Sequence, residues 1–244
     1  MQLLIKYFIF CLISINAFSL KVGADSLSPV GGVKYTIKDG VVYDAKQLLR
    51  DVADRVQAAK ALAAQRQTVV LETTAGEIHI ELYGDKAPLS VQSFLTAVDT
   101  GIWLNGEGGF YRVVRENNAV GQPNIEVIQG GVLDYTKGLP LIEHESTQQT
   151  GILHRDGTVS LGRAPDSTGS GSLFFICIGD QPSLDYGGAR NPDGQGFAAF
   201  GQVTKGMDVV RRIQGMNTQD ASAEQAYQQQ QLLEPVSIIK AYRK

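Results

Sequence analysis

The chain has 244 residues, a hydrophobic share of 43%, a charged share of 19% and a formal net charge of −3. These values belong to a soluble globular protein large enough to bury a core without metal or disulfide staples. The near-neutral balance, with no long basic run, excludes nucleic acid as an expected partner.

Residues 1–24 read as a secretory signal peptide. Lys6 supplies a basic start, Tyr7 to Phe18 is apolar except for Ser14 and Asn16, and Val22-Gly23-Ala24 offers small residues for cleavage. The apolar run is 12 residues long, short of the ~20 that a spanning helix needs, so no membrane span is expected after processing. The expected destination is the periplasm or another exported compartment. Cleavage removes two lysines and no acid, taking the net charge from −3 to −5. It also leaves Cys177 as the lone cysteine, inside the apolar run Leu173 to Ile178, where a small core residue is expected.

Residues 25–67 form a separate extension. Val33 to Ile37 alternates apolar and polar, Lys38-Asp39-Gly40 turns the chain, and Val41-Val42-Tyr43 returns, which predicts a hairpin. Asp44 is placed to cap a helix running from Ala45 towards Ala64, with Leu48, Val52, Val56 and Ala59 on one face.

A strand pattern starts at Thr68 and opens the third segment, residues 68–244. Val69 and Leu71 alternate with polar neighbours, Ala75-Gly76 turns, and Ile78, Ile80 and Leu82 then face away from Glu77, His79 and Glu81. Pro88 suits a first helical turn, and Val91, Phe94, Leu95 and Val98 make an apolar stripe before Gly101. Short strands between Gly-rich turns follow. A second amphipathic segment starts near Met207 with Val210 and Ile213, and Val236, Ile238 and Ala241 form a closing strand. Many short strands with two helices predict a mainly β fold, a closed antiparallel barrel with helical caps. The glutamine-rich stretch from Gln225 to Gln231 is expected to be a surface loop or short helix with no assigned role.

The common catalytic signatures are absent: no G-x-S-x-G elbow, Walker loop, H-E-x-x-H or C-x-x-C occurs. Glu143-His144-Glu145, with His154 nearby, is the one cluster that invites a metal. Adjacent strand residues point to opposite faces, so the triplet is not expected to converge on an ion, and both histidines are expected to be hydrogen-bonded loop residues.

Short segments in a fixed order carry the functional signal. Phe110-Tyr111-Arg112-Val113 precedes Ile128-Gln129-Gly130-Gly131, and Gly157 to Ala164 precedes Ser172-Leu173-Phe174-Phe175-Ile176. Leu184-Asp185, Phe197-Ala198-Ala199-Phe200-Gly201 and Lys205-Gly206-Met207-Asp208 complete the set. From Thr68 to Lys244 this order resembles the cyclophilin-type peptidyl-prolyl cis/trans isomerases. The resemblance implies an eight-stranded barrel with an external groove for Xaa-Pro segments of client chains, no cofactor, no metal, and a monomer. It implies that Arg112 is catalytic, that Val127, Phe175, Leu184 and Phe197 surround the proline ring, and that Gln129 holds the arginine. Gly162, Arg163 and Ala164 match the strand edge that hydrogen-bonds the substrate backbone. Phe174 and Phe200 are expected in the core.

The chain departs from the family pattern at several places. Leu173 stands where glutamine is usual, Tyr111 where histidine is usual, Ser183 where some members carry tryptophan, and Phe197 where others carry histidine. The segment from Arg115 to Glu126 is longer than the family's link. Leu173 and this long segment favour an alternative, a proline-segment-binding chaperone or assembly module with weak turnover; the retained Arg112 favours the isomerase.

The signal-peptide reading has a direct check. N-terminal sequencing of protein from a periplasmic extract should begin close to Asp25, and an intact Met1 in the membrane fraction would refute cleavage.

Overall fold

Alternating apolar residues that face a common interior force eight strands into a closed wall. A computed structural model describes residues 35–38, 41–44, 50, 66–163, 168–220 and 227–244. The chain divides into two compact units, Met1–Val56 and Gln57–Lys244.

In the first unit, β1 (Tyr35–Lys38) and β2 (Val41–Asp44) pair antiparallel, with Tyr35 opposite Asp44 and Lys38 opposite Val41. The hairpin expected there is therefore formed. The signal peptide and the helix expected over Ala45 to Ala64 lie outside the described residues.

The second unit contains β3 (Gln67–Thr73), β4 (Gly76–Leu82), β5 (Gly108–Val114), β6 (Val127–Val132), β7 (Thr158–Arg163), β8 (Gly169–Cys177), β9 (Ala199–Lys205) and β10 (Gln231–Arg243). They close into an antiparallel barrel in the order β10-β3-β4-β9-β7-β8-β6-β5. β10 pairs with both β3 and β5, so this strand shuts the wall. Ile78, Ile80 and Leu82 face inward and are fully buried.

Three helices occur among the described residues of this unit, one more than expected. α1 (Pro88–Thr100) and α3 (Met207–Gln214) are the two amphipathic segments legible in the sequence. The third, α2 (Thr147–Thr150), is a single turn whose Ser146 and Gln149 form a reciprocal capping box. So short a turn carries no apolar periodicity, which is why the pattern missed it. α1 stops at Gly101, whose φ of 65° is left-handed backbone that glycine adopts without a Cβ clash.

Phe94 from α1 meets Trp103, Phe174 and Phe200 inside the barrel, and Phe110 meets Phe174, all fully buried. Successive ring centroids in this cluster lie 5.0–5.6 Å apart at tilted or edge-on angles, which suits the ring quadrupoles. The Trp103 indole donates to the Ser172 carbonyl at 3.1 Å. α1 approaches β8 so closely that a Cβ at Gly171 would sit 2.3 Å from the Ser93 carbonyl carbon and oxygen.

That contact predicts a destabilised variant. Gly171→Ala must push α1 from the wall, and urea unfolding should show a loss of roughly 1–3 kcal/mol, the usual cost of overpacking.

Candidate active site on the barrel exterior

The site originates in a register fault. On β5, Phe110 pairs with Gly130 and Arg112 with Gln129, so β5 holds one residue more than β6 across this step. The extra residue is Tyr111. Without the bulge Phe110 and Arg112 would share a face; with it, Phe110 enters the core while Arg112 lies on the outer groove.

The outer face of the same wall carries a second apolar cluster: Val114, Ile125, Val127, Phe175, Cys177 and Leu184, with Phe197 packed against it. Burial pushes the Cys177 thiol well above its usual range, so it stays protonated as a small packing group. Phe175 and Phe197 meet edge-on at 5.3 Å and 88°.

Under them lies His154, 1% exposed. Its ring is nearly parallel to Phe175 at 5.9 Å. Nδ1 is 2.7 Å from Asp185 Oδ1, and Nε2 is 3.0 Å from Ser160 Oγ. Ser, His and Asp are thus in the order of a hydrolytic triad, yet Ser160 is fully buried and no substrate reaches it. The trio is a strut beneath the apolar cluster.

A groove of about 370 Å³ opens above this cluster. Arg112, Val127, Gln129, Gly162, Arg163, Phe175, Leu184 and Phe197 all line it, so the structure brings together eight of the residues singled out by the sequence. Ala164, the ninth, lies outside the described residues. Leu173 is absent from the lining and packs against the core instead, with its Cβ 3.0 Å from a Cβ built at Gly162.

Arg112 is half-buried and held on two sides. Nε and Nη2 donate to Gln230 Oε1 at 2.9 and 2.7 Å, and Nη1 donates to Gln129 Oε1 at 2.7 Å. A guanidinium has five N–H donors, so one remains on each terminal nitrogen. The amides are themselves fixed: Gln129 Nε2 donates to the Tyr111 hydroxyl at 2.9 Å, and Gln230 Nε2 donates to the Asn118 carbonyl at 2.8 Å. The Tyr227 ring lies 5.9 Å from the guanidinium carbon, within cation–π range. Burial lowers the Arg112 pKa from its ordinary value. Burial first, and then the Tyr135 phenol, push Tyr111 far up, so its hydroxyl keeps its proton.

Several residues of this site have no sequence signal. Gln230 and Tyr227 sit in or beside the glutamine-rich stretch to which no role was assigned, and Arg190 and Asn191 come from the loop between Leu184 and Phe197. The long segment 115–126 supplies Val120, Gly121, Gln122 and Ile125 to the groove wall. Its two ends are tied to α3: Arg115 Nη1 donates to the Gln214 carbonyl, and Gln214 Nε2 donates to Glu126 Oε2 at 3.0 Å. Its middle is held by Arg190, which donates to the Val120 and Pro123 carbonyls at 2.8 and 3.1 Å.

The triplet at 143–145 is engaged elsewhere. Glu145 accepts from the Leu89 and Ser90 amides at the start of α1, where a carboxylate suits the helix dipole, and His144 Nε2 pairs with the Gln195 carbonyl. Among the described residues no group of three or more His, Cys, Asp or Glu side chains is gathered to hold a metal ion.

The site is thus an apolar cleft on the outside of a closed barrel, with a rigid cationic fork at its rim. The comparisons with known proteins give the family. The family model for cyclophilin type peptidyl-prolyl cis-trans isomerases matches residues 68–243. The chain is 33% identical over 169 residues to peptidyl-prolyl cis-trans isomerase A of Dickeya dadantii, covering 68% of this chain and 80% of that protein. It is 34% identical over 176 residues to a peptidyl-prolyl cis-trans isomerase of Acinetobacter baylyi, covering 70% and 82%. A crystal structure of a Cryptosporidium parvum cyclophilin type peptidyl-prolyl cis-trans isomerase shares the fold, with a TM-score of 0.55 at 18% identity, covering 74% of this chain and 98% of that one. This chain belongs to the cyclophilin-type peptidyl-prolyl cis/trans isomerase family.

Gln230 makes two of the three hydrogen bonds that aim Arg112. Gln230→Ala should therefore lower kcat about tenfold with KM nearly unchanged in a prolyl-peptide assay, since a charge-assisted hydrogen bond is worth ~1.5–3 kcal/mol. A rise in KM at constant kcat would mean that Gln230 only shapes the groove.

Proposed function

We propose that the chain speeds rotation about Xaa-Pro bonds of exported polypeptides during their folding, with Arg112 as the catalytic donor. The observation that carries this reading is a cationic fork fixed by Gln129 and Gln230 at the rim of an apolar groove floored by Phe175, Leu184 and Phe197. Nothing in such a groove attacks a bond, and prolyl rotation breaks none.

Amide resonance sets a rotation barrier of ~18–20 kcal/mol. As the bond twists, the proline nitrogen becomes pyramidal and recovers a lone pair, while the carbonyl swings out of conjugation. The two remaining N–H donors of Arg112 then bind the nitrogen or the displaced oxygen more strongly than in the planar ground state. Only this difference accelerates the reaction. Gln129 and Gln230 keep the fork from following the substrate, so no reorganisation is needed at the moment of twisting. Val127, Phe175, Leu184 and Phe197 take the proline ring and shed its water, which strengthens the guanidinium's effect. Gly162 and Arg163 lie past the point where β7 last pairs with β9, at Ser160, and run along the groove beside the peptide backbone.

In this reading the working state is a monomer. The signal-peptide reading supports the periplasm or another exported compartment. The alternative, a binding module with little turnover, loses ground because Arg112 keeps both a fixed geometry and unspent donors.

Substituting Arg112 is the decisive experiment. Arg112→Ala should reduce kcat/KM tenfold or more, because a charge-assisted contact made mainly in the transition state is worth roughly 1.5–3 kcal/mol. Arg112→Lys should not restore full activity, since an ammonium lacks the planar fork. Turnover by Arg112→Ala equal to that of the parent would overturn the mechanism; a parent that binds proline peptides without isomerising them would establish the binding module.

A further inference from the structure

The groove that would take the proline is charged in one direction. Three arginines line it, Arg112, Arg163 and Arg190, and among the described residues no aspartate or glutamate does. Arg163 is balanced from outside by Asp193, to which it donates from both terminal nitrogens. Among the described residues, Arg112 and Arg190 have no such balance. The partners of Arg112 are neutral amides and an aromatic ring, and those of Arg190 are the Val120 and Pro123 carbonyls. Two full positive charges therefore face a concave surface whose remaining described lining, apart from the Asp193-paired Arg163, is apolar or neutral.

We infer that Arg190 is a specificity-determining residue that makes the groove favour proline segments bearing an acidic side chain next to the proline. This rests on the isomerase reading above and names its preferred substrate class.

Three features support the assignment. Arg190 is held rigidly: its backbone amide donates to the Ser183 carbonyl at 3.1 Å, and its side chain grips the 120–123 wall. A charge fixed in this way loses little entropy when it meets a carboxylate. Two of its five N–H donors are spent on those carbonyls, which leaves Nε and both terminal nitrogens with donors for a carboxylate fork. Finally, the chain as a whole is negative, at −3, so a positive patch confined to the groove is a local field. Low-dielectric walls focus such a field on whatever enters. Arg112 adds to it, and the mutual repulsion of the two guanidinium groups is relieved when a carboxylate arrives.

The test uses the processed chain and peptide pairs that differ only by charge, glutamate against glutamine, placed immediately before or immediately after the proline. Isomerisation is followed by NMR exchange, which needs no coupling protease. The expected result is a kcat/KM ratio of roughly three- to tenfold in favour of glutamate at one of the two positions, shrinking as salt rises from 20 mM to 500 mM, because partly exposed charges are screened. Arg190→Gln should bring that ratio to less than half its parental value, and Arg190→Lys should retain most of it. A neutral Ala-Pro peptide runs alongside. If the parent turns over the neutral peptide but treats glutamate and glutamine alike at both positions, the specificity inference fails and the isomerase reading stands. If it turns over neither, the isomerase reading fails first. A glutamate preference that survives unchanged in folded Arg190→Gln also overturns the assignment. Should Arg190→Gln not fold, Arg190→Lys and the parent's salt dependence decide the matter.

Discussion

Between Phe110 and Arg112, β5 runs one residue ahead of β6, and the rest of the site depends on this bulge. A regular strand would turn both side chains the same way. Phe110 has to enter the aromatic core, so Arg112 would then be dragged into an apolar interior that no guanidinium tolerates unpaired. The extra residue, Tyr111, reverses the parity and puts Tyr111, Arg112 and Gln129 side by side on the outside. One backbone irregularity thus reconciles a fully packed interior with a cation on the wall's outer face.

The wall is apolar on both sides where it carries the groove. On β6, Ile128 faces in while Val127 faces the outer cluster; on β8, Phe174 and Ile176 face in while Phe175 and Cys177 face out. Strands buried on both faces read as continuous hydrophobic runs and not as alternation. Leu173 to Ile178 therefore marks the groove as much as the core. The same double burial explains why residue type alone does not separate Phe174 from Phe175: they differ in the side of one sheet on which they stand.

Periodicity sufficed for the barrel, for α1 and α3, and for the closing strand, because each rests on residues a few positions apart. The ordered motifs sufficed for Arg112, Gln129 and the pocket floor. What was not legible is what the chain brings together over long distances without a local pattern. Gln230 reaches Arg112 across 118 positions, and Arg190 reaches Val120 across 70. The glutamine-rich stretch has the composition of a solvated loop, yet Gln230 is fully buried and satisfied on both ends of its amide. His154 looked like an ordinary loop histidine, and only the meeting with Asp185 and Ser160 turns it into the support under Phe175 and Phe197.

β10 pairs with β3 at one end and with β5 at the other, and Gln230 stands at its threshold. A ribosome delivers this strand after the other strands of the barrel, since chains emerge from the N-terminus onward. Until it docks, the barrel has an open seam and Arg112 has lost the partner that takes two of its three bonds. Assembly and the aiming of Arg112 are therefore the same event: a nascent chain has the floor of the groove but a guanidinium held only by Gln129. A protein that handles the slow bonds of other chains would then be switched on by completing its own fold, with no separate activation step.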